Sequence, residues 1–258
     1  MCGIAGLIKL EHTDLDPKNV VMTLLSDIQA RGTDAVGAAW EILGDERTYY
    51  NKQATRVNRF NPSIPDTAYV VLGHVRNATH GKPSNNENNH PVFGNRYIIT
   101  HNGVVNPKKL ASYKYRGETD TEVMLSYIEK DGWSGVPETP GNKSVAVWDM
   151  VEKELMLYTS STSLYAIVHK GCLIWCSTDE PLKALRGEDA SPIVMSLDVK
   201  KDTAYIIKPF KPKIEVTTYR ISLHTAGAIT TYVNDNDNYH SGYNSIGGYS
   251  NSYDGYMV

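Results

Sequence analysis

Short apolar runs rich in β-branched residues recur along this chain, closed by Gly, Pro, Asn or Asp, while helical spacing shows in only three places. Residues 4–8, 38–42, 69–72 and 96–100 are such runs, and from about Ser144 they crowd together at 145–148, 154–158, 166–169, 173–176, 193–197, 204–207 and 214–218. Runs of this length and composition read as strands. The first helical stretch opens at Asp16-Pro17, a capping Asp with Pro at the first helical position. Val21, Leu24, Leu25 and Ile28 make its apolar face, and it ends at Ala30-Arg31-Gly32. The second follows Gly117, with Thr119 or Asp120 as N-cap and Val123, Met124, Tyr127 and Ile128 on one face. The third covers residues 180–185.

A chain of 258 residues can bury one large core or two small ones. Residues 2–233 read as one domain. Residues 234–258 are rich in Tyr, Asn, Ser and Gly without Lys or Arg, and read as a disordered tail. A net charge of −3 implies no nucleic-acid partner. Three Cys are too few for a disulfide framework, and no apolar run reaches the roughly 18 residues a membrane span needs. A soluble, cytoplasmic protein with no membrane partner is expected.

Cys2 directly follows Met1. Once Met1 is removed, a thiol and a free α-amine share one residue, and an α-amine has a reference pKa of about 7.7–8. That amine can take the thiol proton and return it to a leaving group. On position alone Cys2 reads equally as an ordinary residue near a start codon. Arg31-Gly32-Thr33-Asp34 reads as a helix end followed by a turn. His74, His80, His90 and His101 are four of the eight His. They lack metal-ligand spacing, so no metal and no cofactor is expected. The segment after strand 69–72 reads instead as a loop in which Arg76, Thr79 and His80 suit capture of a small carboxylate. Asn102-Gly103 is a hairpin signal, and equally a pair of oxyanion donors at a strand end. Asp120 either caps its helix or faces a cleft and binds an ammonium group. Cys172 and Cys176 read as core thiols.

In this order, Cys2-Gly3-Ile4, Arg31-Gly32-x-Asp34-Ala35, Gly73-His74-x-Arg76-x-Ala78-Thr79-His80-Gly81, Asn89-His90-Pro91, His101-Asn102-Gly103 and Glu118-Thr119-Asp120-Thr121-Glu122 resemble the glutaminase domain of class II glutamine amidotransferases, within the N-terminal-nucleophile hydrolases. The resemblance implies an α+β fold, a four-layer αββα sandwich of two mainly antiparallel sheets between helices. It implies hydrolysis of the L-glutamine side-chain amide through a Cys2 thioester, with Asn102 and Gly103 as oxyanion hole. Arg76, helped by Thr79 and His80, would hold the substrate α-carboxylate, Asp120 its α-amine, and Arg31 would brace the site. Two departures stand out: Asn77 where the sugar-phosphate branch has Trp, and Thr33 where the commonest branches have Tyr or Gln. No acceptor-domain motif occurs, so a separate acceptor or synthetase subunit is expected as partner. The competing readings are an N-terminal Cys amidase acting on another amide, and a non-catalytic binding protein of the same fold.

Overall fold

The computed structural model describes residues 1–160, 162–186, 196–198, 202–210, 214–222 and 225–233. In chain order its elements are β1 (Gly3–Lys9), α1 (Pro17–Asp27), β2 (Ala35–Ile42), β3 (Thr48–Gln53), β4 (Ala68–Arg76), β5 (Val92–Phe93) and β6 (Tyr97–Val105). There follow α2 (Asp120–Asp131), α3 (Gly135–Glu138), β7 (Gly141–Asp149), β8 (Glu154–Thr159), β9 (Tyr165–His169), β10 (Cys172–Cys176) and α4 (Glu180–Arg186). The last are β11 (Ser196–Asp198), β12 (Thr203–Ile207), β13 (Ile214–Ser222) and β14 (Thr225–Val233).

The strands form two seven-stranded sheets, ordered β11-β9-β10-β1-β4-β2-β3 and β14-β13-β12-β8-β7-β6-β5, and all their described pairings are antiparallel. The two-residue side-chain period of a strand sorts each sheet into an inner and an outer face. On β1, Ile4 and Ile8 pack inward against Trp148, Leu157 and Trp175, while Ala5 and Leu7 pack outward against Val21 and Leu25 of α1. On the second sheet, Ile98 and Ala146 face inward, whereas Ile99, Val145 and Val147 pack on Met124 and Ile128 of α2. Three apolar layers therefore separate four structural layers: α1 with α4, the two sheets, and α2 with α3. This is the expected αββα sandwich.

α1 forms where the sequence signals it, with Asp16 accepting from the Asn19 N–H at 3.0 Å and Pro17 at its first position. It stops earlier than expected, at Asp27, and a separate 3₁₀ turn carries Gln29–Arg31. Two further expectations are corrected. Gly73 to Arg76 does not start a loop: β4 is buried along all nine residues, because β1 and β2 pair with it on both sides. Asn102-Gly103 is not a hairpin turn either: β6 runs straight through it, paired with Ser144 and Lys143 of β7. β14 had no counterpart among the expected strands. The tail 234–258 and residues 193–195 lie outside the described residues.

Candidate active site

Cys2 stands immediately before β1, and the strand period places it on the same inward face as Ile4. β1 is gripped firmly at this end. The Ile4 N–H donates to Ser177 Oγ at 2.9 Å, the Ser177 N–H donates back to the Ile4 carbonyl at 2.9 Å, and Arg31 Nε donates to the Cys2 carbonyl at 3.0 Å. Arg31 thus braces the backbone of Cys2 rather than its thiol. Arg31 also lines a cavity of about 420 Å³, together with Asp27 at the end of α1 and Glu180 and Pro181 of α4.

The thiol meets the backbone that follows β4. Asn77 N–H donates to Sγ at 3.4 Å, and Sγ lies 3.5 Å from the Asn77 carbonyl. That turn is pinned by Asp34, whose Oδ2 accepts from the Ala78 N–H at 2.8 Å and whose own N–H donates to the Arg76 carbonyl at 3.0 Å. Burial pushes the Cys2 thiol above its ordinary value. The Asn77 backbone, the chain's amino group and Arg76 pull it back, and Asp120 pushes it up. Arg76 and Asp120 are therefore both within electrostatic reach of the sulfur, one with each sign of charge.

Arg76 is 3% exposed, and its guanidinium makes three hydrogen bonds. It donates to Asn89 Oδ1 at 2.9 Å, to the Gly81 carbonyl at 2.9 Å and to the His80 carbonyl. Burial lowers its pKa, and Cys2, Asp34 and Asp120 pull it back up. The side chains of Thr79 and His80 stand apart from this cluster: both are exposed and they meet each other, His80 Nδ1 lying 3.3 Å from Thr79 Oγ1. Their loop engages Arg76 through its carbonyls.

β6 crosses from the second sheet, and Asn102 shares the inward face of Ile98. It is 1% exposed, yet neither its Oδ1 nor its Nδ2 has a partner. A buried amide without partners is uncommon and costs about 1–3 kcal/mol. Gly103 follows with φ +146, and a Cβ there would lie 2.0 Å from the Asn142 carbonyl oxygen, so only Gly fits. Asp120 begins α2 but does not cap it. Thr119 does, accepting from the Glu122 N–H, while Asp120 Oδ2 accepts from the Val105 N–H of β6 at 2.9 Å.

The structure therefore gathers Cys2, Arg76, Asn102, Gly103 and Asp120 around the ends of β1, β4 and β6, with Arg31 behind them. Asp34, Asn77, Asn89 and Ser177 also hold the site, and none was given a role from sequence. Asp34 and Asn89 stood inside two of the resembling segments and Asn77 was noted as a departure, whereas Ser177 carried no signal of its own. Among the described residues no group of three or more His, Cys, Asp or Glu is placed to hold a metal, and no helix is long and apolar enough to cross a membrane.

Comparison with known proteins agrees with this geometry. The glutamine amidotransferase domain model matches residues 62–242, which includes Arg76, Asn102, Gly103 and Asp120 and leaves Cys2 and Arg31 outside the match. A glutamine–fructose-6-phosphate aminotransferase (isomerizing) of Shouchella clausii is 28% identical over 206 residues, covering 76% of this chain and 30% of that protein. The Oceanobacillus iheyensis protein of the same name is 34% identical over 139 residues, covering 50% of this chain and 22% of its own length. The chain thus spans less than a third of these relatives. A solved glutamine phosphoribosylpyrophosphate amidotransferase from B. subtilis superposes with TM-score 0.63 over 85% of this chain and 50% of that one, at 16% identity, which supports the fold. With the family model matching well over half of its residues, this chain belongs to the glutamine amidotransferase domain family, in the class II group of N-terminal-nucleophile hydrolases.

Proposed function

We propose that this chain hydrolyses the side-chain amide of L-glutamine to glutamate and ammonia, with Cys2, freed of Met1, as nucleophile. The observation that carries the reading is the Asn102 amide, buried and without a partner, beside a glycine of positive φ on a strand facing Cys2. Preorganised donors not already bonded within the protein are what a developing oxyanion requires. Arg76 and Asp120 supply opposite charges for the two ends of an amino acid, and both act on the sulfur.

The steps follow from these positions. The α-amine of Cys2 takes the thiol proton as Sγ attacks the amide carbon, and Asn102 Nδ2 and the Gly103 N–H receive the carbonyl oxygen as it becomes an oxyanion. The amine then returns the proton to the leaving nitrogen. The C–N bond breaks, ammonia departs and a γ-glutamyl thioester remains. Water adds to the thioester with the amine as base, releasing glutamate and the free thiol. Arg76 changes partners to receive the substrate carboxylate, and its loop, residues 77–81, closes over the bound amino acid to keep water from the thioester. Ammonia is mostly protonated at neutral pH and poor as a nucleophile, so the product is passed to an acceptor site on a partner protein.

Intact mass with and without 6-diazo-5-oxo-L-norleucine, beside a Cys2→Ala control, tests the reading. A chain lacking Met1 that gains one adduct at Cys2 supports it. A chain that keeps Met1 and stays unlabelled leaves the fold as a binding module and sinks the catalytic role.

A further inference from the structure

Behind the proposed substrate pocket lies a second polar cluster that the reaction as written does not use. His74, His90, His101 and Thr121 are each 5% exposed or less. The Thr121 Oγ1 lies 3.0 Å from His90 Nε2 and 2.9 Å from His101 Nδ1. His74 Nε2 donates to the His101 carbonyl at 3.0 Å, and the His74 and His90 rings stack at 4.1 Å between centroids.

Each member is a near neighbour in sequence of a group in the candidate site. His101 precedes Asn102, and Thr121 follows Asp120. His74 is two residues before Arg76 on the same face of β4, and His90 follows Asn89, which holds the Arg76 guanidinium. The cluster thus ties together β4, β6, the start of α2 and the segment before β5. The first three carry the two charged poles and the oxyanion donors, and the fourth carries Asn89, which holds one pole.

Hydroxyl chemistry makes the tie directional. Thr121 has one proton to give, so it donates to one imidazole and accepts from the other. One imidazole nitrogen facing Thr121 therefore carries a proton and the other does not: either His90 Nε2–H donates to the Thr121 oxygen and the Thr121 O–H to His101 Nδ1, or the order is reversed.

We propose that Thr121 is a positioning residue: its hydroxyl, clamped between His90 and His101, sets the separation between the ammonium pole at Asp120 and the oxyanion donors Asn102 and Gly103. This rests on the glutaminase reading and deepens it. A reacting group displaced by about 1 Å can cost about 10²-fold in rate, so loss of the clamp is expected at that level.

Thr121→Val keeps the shape and removes the hydroxyl, and Thr121→Ser restores it. The Val variant is expected to lose about 10²-fold in kcat for glutamine and to label slowly with 6-diazo-5-oxo-L-norleucine. Its alkylation by iodoacetamide, which needs no bound amino acid and feels the two charges only through the thiol pKa, stays within a few-fold of the wild-type rate. The Ser variant recovers turnover to within a few-fold of wild type. Wild-type kcat and KM in the Val variant, or turnover and alkylation lost together, overturn the proposal. The wild-type protein supplies a test that needs no variant. In its imidazole ¹⁵N spectrum, one of His90 Nε2 and His101 Nδ1 should carry a proton and the other should not. Protons on both nitrogens facing Thr121, or on neither, refute the clamp. Failure of wild type to hydrolyse glutamine or take the label refutes the glutaminase reading itself, and is scored before any variant is made.

Discussion

Asp34 Oδ2 accepts from the Ala78 backbone N–H at 2.8 Å, across 44 residues of chain, and so fixes the turn whose preceding residue touches the Cys2 sulfur. The carboxylate joins the start of β2 to the end of β4 at the point where β4 leaves the sheet. Asp34→Ala removes a charge-assisted bond worth about 1–2 kcal/mol. It is expected to lower the unfolding free energy by that amount and to loosen residues 77–81. Hydrogen exchange of the Ala78 amide measures the loosening directly, and unchanged protection would show that the turn is held by other contacts.

Glu41 ties the two sheets together. Its carboxylate is fully buried and accepts from Thr48 Oγ1, Tyr69 Oη, Trp148 Nε1 and Lys153 Nζ, all between 2.6 and 2.8 Å. Removing one partner of a buried ion pair typically costs about 3–5 kcal/mol, because the other is left uncompensated. Glu41→Ala is expected to lose that much in urea unfolding, and Glu41→Gln less, since its amide oxygen still accepts from Trp148 and Thr48 while its NH2 can donate to the Tyr69 hydroxyl oxygen. Equal losses in the two variants would show that the hydrogen bonds a neutral amide keeps contribute nothing, and that the charge carries the whole effect.

Most of the fold was legible because strands announce themselves locally. The run at residues 145–148 and the pair at 166–169 and 173–176 each needed only apolar β-branched residues between turn formers. Two site features read wrongly for one reason. Gly73 to Arg76 and Asn102-Gly103 carry loop-like residues, yet both lie inside strands, where pairing (with β1 and β2 for the first, with β7 for the second) overrides local preference. The residues offered Arg76 as a carboxylate fork and Asn102-Gly103 as oxyanion donors, but each with a plain structural alternative, and the family resemblance chose between them, because neither spacing nor propensity marks a side chain that faces the gap between two sheets. Ser177 acts on Ile4 across the fold, and no local pattern encodes that contact.

Three buried imidazoles make stability depend on pH. Desolvation holds His74 down at about 3 and also lowers His90 and His101. Arg76 opposes a proton on His74 and His90, Lys52 on His90 and Lys143 on His101, while Asp120 favours one on His101. The unfolded chain binds protons near the ordinary His value of about 6.5, so it is favoured as pH falls below that value. Stability is fully present above about pH 6.5 and is lost progressively down to the folded values. Each His contributes a slope of about 1.4 kcal/mol per pH unit, or about 4 for three. Urea unfolding at pH 7.5, 6.5 and 5.5 should trace this loss, and His90→Asn should remove about one third of it. A flat profile across that range contradicts neutral burial.

The charges beside Cys2 act on its thiol in opposite directions, and alkylation can read each one. Arg76 lowers the thiol pKa and Asp120 raises it. Asp120→Asn is therefore expected to speed iodoacetamide labelling at neutral pH, although the proposed glutamine turnover falls with loss of the ammonium partner. Arg76→Gln should slow both. A pH series of labelling rates separates a shifted midpoint from a change in access, and a midpoint moving up in Asp120→Asn would contradict the placement of its charge.

Asn102 sets stability against function. Its buried amide makes no hydrogen bond in the free protein, so the fold carries a desolvation cost of about 1–3 kcal/mol with no return. Asn102→Ala abolishes that cost and leaves only a small cavity. Thermal unfolding is therefore expected at or above the wild-type midpoint, unlike Glu41→Ala, which removes a satisfied group. Turnover should fall by about 10²–10³, the usual result of losing one oxyanion donor. The mechanism requires this pairing of a retained midpoint with a lost rate. A midpoint that dropped by several degrees would mean that Asn102 has a partner in the folded protein and is a structural residue.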